Sequence, residues 1–217
     1  MRLLPLLFCC GVVLAAANNP VKVDNDAVRI LSVVDLPHHK GQLHKHAMNR
    51  VMIYLDDGNI ELNYADGHRD EQHWKANQVA WSPQSGMHTS ENVGTAPIRI
   101  IEIELKKPAA TPGVIHRPAF DAVALDPQHN VMILDNEQVR VFRSWREPGA
   151  TEPMHEHVGA GRAVVLLTDL HAKVRMPDGK SVDQEGKAGD LFWTGPITHA
   201  AKNVGTAKFE MIVVEVK

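Results

Sequence analysis

The sequence predicts an all-β protein built from two tandem domains of the sandwich or jelly-roll class. The first observation is an internal repeat, because three segments of the first half recur at a constant offset in the second half (135 − 24 = 111). The pairs are 24–30 (DNDAVRI) with 135–141 (DNEQVRV), 91–96 (ENVGTA) with 202–207 (KNVGTA), and 101–106 (IEIELK) with 212–217 (IVVEVK). An offset held across a whole unit indicates a duplication rather than chance similarity.

The second observation is the strand-like pattern inside each copy. Segments 50–67 and 162–179 are short apolar and β-branched runs separated by Asp-Gly or Pro-Asp-Gly steps, which are hairpin signals. No stretch has a long helical period with capping residues. We therefore expect a first β-domain over 21–106 and a second over 129–217. The proline-rich segment 107–128 between them is predicted to be a linker that packs against a domain.

The first residues predict export. Arg2 precedes an apolar run, and Ala15-Ala16-Ala17 is a small-residue cleavage pattern, so 1–17 is expected to be a signal peptide and the mature protein to be periplasmic or secreted. The apolar run is too short to span a membrane as a helix, and no later run is long enough. Both cysteines lie in this leader, which excludes a cysteine nucleophile and thiolate metal ligands from the mature chain.

The charge of the chain excludes two classes of partner. The formal net charge is −3, and removal of Arg2 with the leader makes it −4 (−3 − 1 = −4). A mildly acidic protein of this kind is not expected to bind nucleic acid or an anionic membrane surface. The expected partners are a small-molecule substrate and a second copy of the chain in a homodimer, since barrel edges often pair.

Six of the thirteen histidines occupy matching positions in the two copies. His44-x-His46 in the first copy corresponds to His155-x-His157 in the second, and His88 and His199 each follow at the same distance (88 − 46 = 42 and 199 − 157 = 42). Two histidines separated by one residue on a strand point to the same side of it. With a third imidazole from another strand they could hold a divalent metal and leave coordination positions open.

The segments around these histidines resemble the two motifs of the cupin superfamily. GATEPMHEH (149–157) is similar to the opening of the first motif, and PQSGMHTSEN (83–92) and GPITHAAKN (195–203) are similar to the closing H-x3-N of the second. The duplication makes the chain resemble a bicupin. The resemblance implies two double-stranded β-helix (jelly-roll) barrels, each with a metal on three histidines. Asn92 and Asn203 are expected to hold the turns after the ligand strands, because asparagine side chains favour turns.

One departure from the cupin pattern bears on the chemistry. The usual glutamate is missing in both copies, and Arg50 and Arg162 stand in the matching region. The resemblance is therefore to three-histidine cupins, some of which are dioxygenases, rather than to oxalate oxidases and decarboxylases. Fe(II) is the expected metal, with Zn, Mn, Ni and Cu as alternatives. The two arginines are candidates to bind an anionic or chelating substrate, and their alternative is an outward-facing strand position.

Three functions remain open at this point. The first is an exported non-haem iron dioxygenase with a small anionic or chelating substrate. The second is a non-redox Zn, Mn or Ni enzyme that acts as an isomerase or hydrolase. The third is a periplasmic ligand-binding or metal-binding protein without turnover. No catalytic side chain beyond the candidate ligands is assigned, because the cupin fold hosts many reactions.

Overall fold

The computed structural model describes residues 20–107 and 118–217. The expected signal peptide, 1–17, and the middle of the expected linker, 108–117, lie outside the described residues, and the predicted domain limits stay predictions. The strands of the first half are β1 (Val21–Asp24), β2 (Val28–Asp35), β3 (His44–His46), β4 (Arg50–Tyr54), β5 (Gly58–Tyr64), β6 (Arg69–Trp74), β7 (Gln78–Ser82), β8 (Ser85–Asn92) and β9 (Ile98–Leu105).

The second half contains one short helix and nine further strands among the described residues. The elements are α1 (Ala122–Leu125), β10 (Asn130–Asp135), β11 (Val139–Arg146), β12 (His155–His157), β13 (Gly161–Leu166), β14 (Leu170–Arg175), β15 (Ser181–Gly186), β16 (Leu191–Thr194), β17 (Ile197–Asn203) and β18 (Phe209–Val216). No helix in the described part of the chain is long and apolar enough to cross a membrane.

Each half is an antiparallel sandwich with the same strand order. The first half has a five-stranded sheet, β1-β2-β9-β4-β7, and a four-stranded sheet, β3-β8-β5-β6. The second half repeats them as β10-β11-β18-β13-β16 and β12-β17-β14-β15. The predicted all-β fold with two tandem domains is confirmed.

The two five-stranded sheets pack against each other through one apolar core. This core contains Val51 and Ile53 of β4 and Val165 and Val214 from the second half, all fully buried. Because side chains alternate across a strand, the other face of β4 points into its own barrel. Each large sheet is therefore covered on both faces, by the other half on one side and by its own small sheet on the other.

The Asp-Gly prediction is right for some turns and wrong for one. Gly67 and Gly179 have positive φ and lie in the hairpins that join β5 to β6 and β14 to β15. Gly58 is different, because β4 pairs with β7 and β9 rather than with β5. A Cβ at Gly58 would lie 2.2 Å from Cδ1 of Ile98, so glycine here allows close packing between the two sheets.

The two asparagines hold turns, as expected. The Asn92 amide donates to the backbone oxygens of Asp35 (3.0 Å) and Ala96 (2.8 Å), and its own oxygen accepts from the amide of Gly94. Asn203 makes the corresponding bonds in the second half. Both side chains are buried, so these bonds fix where the strand that carries the third histidine ends.

Candidate metal centres

The first group of histidines forms where β3 pairs with β8. The antiparallel register sets His44 opposite His88, and His46 lies on the same side of β3 as His44. One ring nitrogen from each of the three lies within 4.8 Å of the other two, and the Nε2 atoms of His44 and His46 are 3.1 Å apart. His44 and His46 are half-buried, whereas His88 is buried.

The second group repeats this arrangement where β12 pairs with β17. His155 lies opposite His199, and the Nε2 atoms of His155 and His157 are 2.9 Å apart. All three imidazoles are buried here. The structure thus brings together all six predicted histidines, in two groups of three, and no carboxylate belongs to either group among the described residues. That these groups bind metal stays a prediction.

Backbone carbonyls set the tautomer of several rings. Nδ1 of His44 lies 2.8 Å from the oxygen of Gln42, and Nδ1 of His155 lies 2.9 Å from that of Pro153. His88 is held in the same way by Gly86 at 2.9 Å. A carbonyl can only accept, so Nδ1 carries the proton and Nε2 presents its lone pair to the group centre.

The donor atoms fit a divalent cation. In the second group the lone pairs on Nε2 of His155 and His157 face each other at 2.9 Å, an arrangement that is repulsive unless a cation or a proton lies between them. His199 is buried, and neither of its ring nitrogens has a hydrogen-bond partner in the described part of the chain. Burial, with Arg162 and His155 adding to it, lowers the pKa of His199 to about 2, so its ring is neutral. Buried, neutral and unpartnered imidazoles are suitable ligands for a metal.

An acidic residue supports the second group from behind. Oε1 of Glu215 lies 2.6 Å from Nδ1 of His157, and Oε2 lies 2.9 Å from the Arg140 guanidinium, which also bonds Asp121 at 2.7 Å. Burial raises the pKa of Glu215 and Arg140 opposes that rise. A carboxylate behind a ligand histidine fixes the ring and raises its basicity. The equivalent Glu104 in the first half bonds Arg29 instead, at 3.3 Å.

Both candidate arginines point inward. Arg50 and Arg162 occupy equivalent positions, since Glu104 and Glu215 respectively lie opposite them on the neighbouring strand. Both arginines line their barrel cavities. Arg50 is buried and bonds Glu102 (3.0 Å) and Ser82 (2.8 Å). Its Nη1 also lies 2.9 Å from Nε2 of His46, the atom that a metal would use. Substrate binding by these arginines stays a prediction.

Arg162 differs from Arg50 in its contacts. Its Nε and Nη1 atoms are buried and have no partner within the described residues. Burial is the largest cause that lowers its pKa, to about 10, so the guanidinium remains charged at neutral pH. Two buried N–H groups without a partner in so small a space can bind an anion or an ordered water.

The two cavities differ about tenfold in volume. The cavity beside the first group measures about 400 Å³, and the one beside the second group about 40 Å³. Phe192 occupies in the second half the strand position that Ala80 has in the first. Arg146 lies at the position of Asp35, since their backbone oxygens accept from the side chains of Asn203 and Asn92 respectively. Glu152 lies at the position of Gly41, since their backbone amides donate to Ala201 of β17 and Ser90 of β8 respectively. Larger side chains therefore fill the second barrel.

Sequence reasoning missed the carboxylates around both groups. Asp35 and Glu102 line the first cavity, and Glu152 lines the second at 3.8 Å from Nδ1 of His199. Burial raises the pKa of all three. None of them follows an H-x-H pair, where the cupin glutamate is expected. The one available signal was the acidic pair Glu102 and Glu104 within the isoleucine-rich strand β9.

The comparisons with known proteins agree on the fold. No protein-family profile matches the chain, and no curated protein matches it. Many solved structures are similar to it over most of its length, and three of them represent different proteins. They are AerE from Microcystis aeruginosa (TM-score 0.64, 13% identity, 92% of this chain and 96% of that one), a cupin 2 conserved barrel domain protein from Leptotrichia buccalis (0.52, 14%, 90% and 86%) and a variant of the salicylate 1,2-dioxygenase from Pseudoaminobacter salicylatoxidans (0.60, 10%, 88% and 71%).

Identities this low bear on the fold alone. The repeated sandwich, its two three-histidine groups and its cupin neighbours have one common interpretation. The chain is therefore a bicupin by fold, with two tandem cupin barrels that each carry three convergent histidines.

Proposed function

We propose that the chain is an exported, metal-dependent enzyme of the non-haem iron dioxygenase type, and that its first barrel carries the reaction on a small anionic or chelating substrate. The observation that carries this proposal is the combination found in the first barrel. Three convergent imidazoles, a buried arginine and a cavity of about 400 Å³ meet there. A cavity of this size is in the usual range for small-molecule sites.

The spacing of the donor atoms suits one divalent cation at each H-x-H pair. Ligands about 2.1 Å from a metal are about 3.0 Å apart at a right angle and about 3.4 Å apart in a tetrahedron. The Nε2 separations are 3.1 Å for His44 and His46 and 2.9 Å for His155 and His157. Both lie near the separation expected for two ligands of one cation, which supports metal binding at each pair.

The residues of the first barrel would have separate roles in binding metal and substrate. His44, His46 and His88 would hold the metal, and Fe(II) there would supply the capacity to activate dioxygen. Arg50 would bind the anionic group of the substrate, because a buried guanidinium presents several donors in a fixed plane. Glu102 keeps Arg50 in position at 3.0 Å, and the apolar barrel wall excludes bulk water from the substrate.

The second barrel would hold a resident metal rather than a substrate. Its ligands are buried, its cavity measures about 40 Å³, and Glu215 fixes His157 at 2.6 Å. Such a volume holds a few waters or a very small anion. Export rests on the leader predicted from the sequence, and homodimer formation rests on the exposed edges of the sheets.

Metal analysis and oxygen uptake test this proposal. Protein expressed without a His-tag should contain two equivalents of metal, and one equivalent in either His44→Ala/His46→Ala or His155→Ala/His157→Ala. With Fe(II) loaded, oxygen uptake in the presence of aromatic hydroxy acids, enolisable diketones or thiols should disappear in the first double variant and persist in the second. An iron-loaded wild type that consumes no oxygen with any of these compounds would contradict the dioxygenase assignment.

A second candidate function is supported by one contact. Nη1 of Arg50 donates to Nε2 of His46 at 2.9 Å, so the arginine competes with a metal for that lone pair. A site of this kind suits a ligand-binding protein whose first barrel exchanges its metal. Binding of a ligand without product, together with sub-stoichiometric metal in the first barrel, would favour this function. A tightly held zinc with no oxygen uptake would instead favour a non-redox enzyme.

A further inference from the structure

The segment 118–126 lies along the outer edge of a strand that carries candidate metal ligands. The H-x-H strand β12 is the edge strand of its sheet, next to β17. Glu156 is the residue between the two histidines, and its amide donates to the backbone oxygen of Phe120 at 2.9 Å. Asp121 forms a parallel bridge with the same residue. The segment therefore holds this short strand from the side that β17 leaves open.

A buried arginine links the start of α1 to the second histidine group. Asp121 is the N-cap of the helix, and its Oδ2 accepts from the Arg140 guanidinium at 2.7 Å. Arg140 also donates to Glu215 at 2.9 Å, and Glu215 lies 2.6 Å from Nδ1 of His157. The Arg140 side chain is 2% exposed, so its charge depends on acidic partners in the interior. These contacts connect the segment to a candidate metal ligand.

A second buried arginine repeats this link at the end of α1, over longer distances. Asp126 is the C-cap of the helix, and its Oδ2 lies 3.4 Å from Nη2 of Arg146. The same Nη2 donates to Glu152 at 3.1 Å. Oε1 of Glu152 lies 3.8 Å from Nδ1 of His199 and 3.9 Å from Nδ1 of His155. Each end of α1 is thus held by an arginine that also holds a glutamate beside the histidines.

The two aspartates also set the charge around the second group. The charged side chains behind or beside its histidines, apart from the segment, are three buried arginines and two glutamates, namely Arg140, Arg146, Arg162, Glu152 and Glu215. With all five ionised, one positive charge is in excess and opposes a metal cation. Asp135 lies 3.9 Å from Nε of Arg140 but is shared with Lys217 at 2.6 Å. The aspartates of the segment reverse the excess, so the docked segment favours a cation at the histidines.

The first half lacks this arrangement in its described residues. Arg29 has the strand position of Arg140, yet its side chain is 40% exposed and bonds Glu104 at 3.3 Å. Asp35 stands where the second half has Arg146. No described segment bridges the outer side of β3. The link between a neighbouring segment and a histidine group therefore belongs to the second barrel.

We propose that Asp121 and Asp126 are positioning residues of the second metal centre that act through Arg140 and Arg146, and that docking of segment 118–126 and metal binding strengthen each other. This inference rests on the proposed function for the resident metal. Such coupling is reciprocal, so docking raises the metal affinity by the same factor by which the metal stabilises the docked segment. Because the segment lies between the two barrels in the chain, the second metal also fastens the connection to the first barrel.

Zinc affinity in the full-length chain tests the coupling from the metal side. The double variant His44→Ala/His46→Ala leaves the second group as the zinc site, and chelator competition measures its affinity. In this background Asp121→Asn should lower the affinity about tenfold, the lower end of the usual effect of losing a supporting group. Asparagine keeps an oxygen for the cap bond to the amide of Val123 at 3.0 Å, so the change removes only the carboxylate charge at Arg140.

Two further variants complete this measurement. Asp56→Asn is the matched control, because it breaks an aspartate–arginine pair with Arg99 in the first half, at 2.8 Å, and should leave the zinc affinity within about twofold. Asp126→Asn should lower the affinity by less than Asp121→Asn, because its contact with Arg146 is longer, at 3.4 Å. This variant also tests the coupling if Asp121→Asn does not fold.

Hydrogen exchange tests the coupling from the side of the segment. The amides of Leu125 and Asp126 donate within the segment, at 2.9 and 3.1 Å, and neither adjoins a candidate ligand. Saturating zinc should slow their exchange about tenfold, and much less in Asp121→Asn. The amide of Gly179, which donates to Met176 at 3.0 Å in a distant hairpin, is the control and should exchange at the same rate with and without zinc.

The possible failures can be told apart. Unchanged zinc affinity in folded Asp121→Asn, or exchange of the Leu125 and Asp126 amides that does not respond to zinc, would overturn the coupling and leave the resident metal in place. A folded His44→Ala/His46→Ala chain that binds no zinc would contradict the resident metal and the coupling together.

Discussion

The hydrogen bond from His157 to Glu215 provides the sharpest test of the metal interpretation. We expect Glu215→Gln to lower the metal affinity of the second barrel by about 10- to 100-fold, the usual effect of losing such a supporting carboxylate, which corresponds to about 1.4–2.7 kcal/mol. The change is nearly isosteric, so it removes charge and leaves shape. Glu215 is buried, and each of its oxygens already has a partner, at 2.6 and 2.9 Å.

The amide cannot satisfy both partners. If its oxygen accepts from His157, its NH2 group faces the donors of Arg140. If it turns over, its NH2 group faces Nδ1 of His157 and drives the proton to Nε2, which removes the lone pair that a metal needs. Either orientation weakens the site, and Asp121 still holds Arg140 at 2.7 Å, so the fold should survive.

Chelator competition in a His44→Ala/His46→Ala background isolates the second barrel for this measurement. Glu104→Gln in the otherwise wild-type chain is the matched control, because Glu104 has the equivalent strand position but bonds Arg29. It should leave the affinity of the first barrel within about twofold. Unchanged metal affinity in Glu215→Gln, with an unchanged melting temperature, would refute the role assigned to this carboxylate.

Three further predictions concern charge, pH and the core. Arg50→Lys should weaken oxalate binding about tenfold, as measured by calorimetry, and leave the metal content unchanged. Lysine cannot reproduce the planar contacts that Arg50 makes at 2.8–3.0 Å. Wild-type affinity in this variant would contradict the anion-binding role of Arg50. Burial lowers the pKa of His199 in the folded chain to about 2, from the 6.5 of a free histidine, so below pH 6.5 the unfolded chain takes up a proton that the folded chain does not. This difference should lower the free energy of unfolding of the metal-free protein by about 1.4 kcal/mol for each pH unit below 6.5. Urea unfolding of His199→Asn at several pH values should show a pH dependence smaller by this amount. Ile53→Ala should lower the free energy of unfolding by about 3 kcal/mol, since Ile53 is fully buried between the two halves, whereas Val34→Ala, at a position 53% exposed, should change it by less than about 0.5 kcal/mol. An equal loss in both variants would show that the two sheets are not packed together in solution.

Local patterns were sufficient to predict which six histidines converge. An H-x-H pair on a strand must point to one side, and the repeated distance to the third histidine requires the same partner strand in both halves. The structure sets His44 against His88 and His155 against His199 accordingly. These features depend on spacing along the chain, and so they can be read from the sequence.

Features that depend on contacts between distant strands could not be read in this way. The Asp57-Gly58 step has a hairpin composition, yet the packing of Gly58 against Ile98 decides its role. Glu215 lies 58 residues from His157, and nothing in the intervening sequence indicates that the two touch. Two similar strands can also carry arginines with different partners. Arg50 bonds Glu102 and Ser82 through its two terminal nitrogens, whereas Nη1 of Arg162 has no partner among the described residues.

The sequence by itself determined the duplication, the β-rich halves and the six histidines, because repeats and strand alternation are properties of residue order. Only the tertiary structure decided that one barrel is open and the other filled. Cavity volume depends on the sum of side chains that converge from several strands, such as Ala80 or Phe192 with their neighbours across the barrel. That sum is known only when the strands are assembled, and it is the basis of our proposal that the first barrel binds the substrate and the second a resident metal.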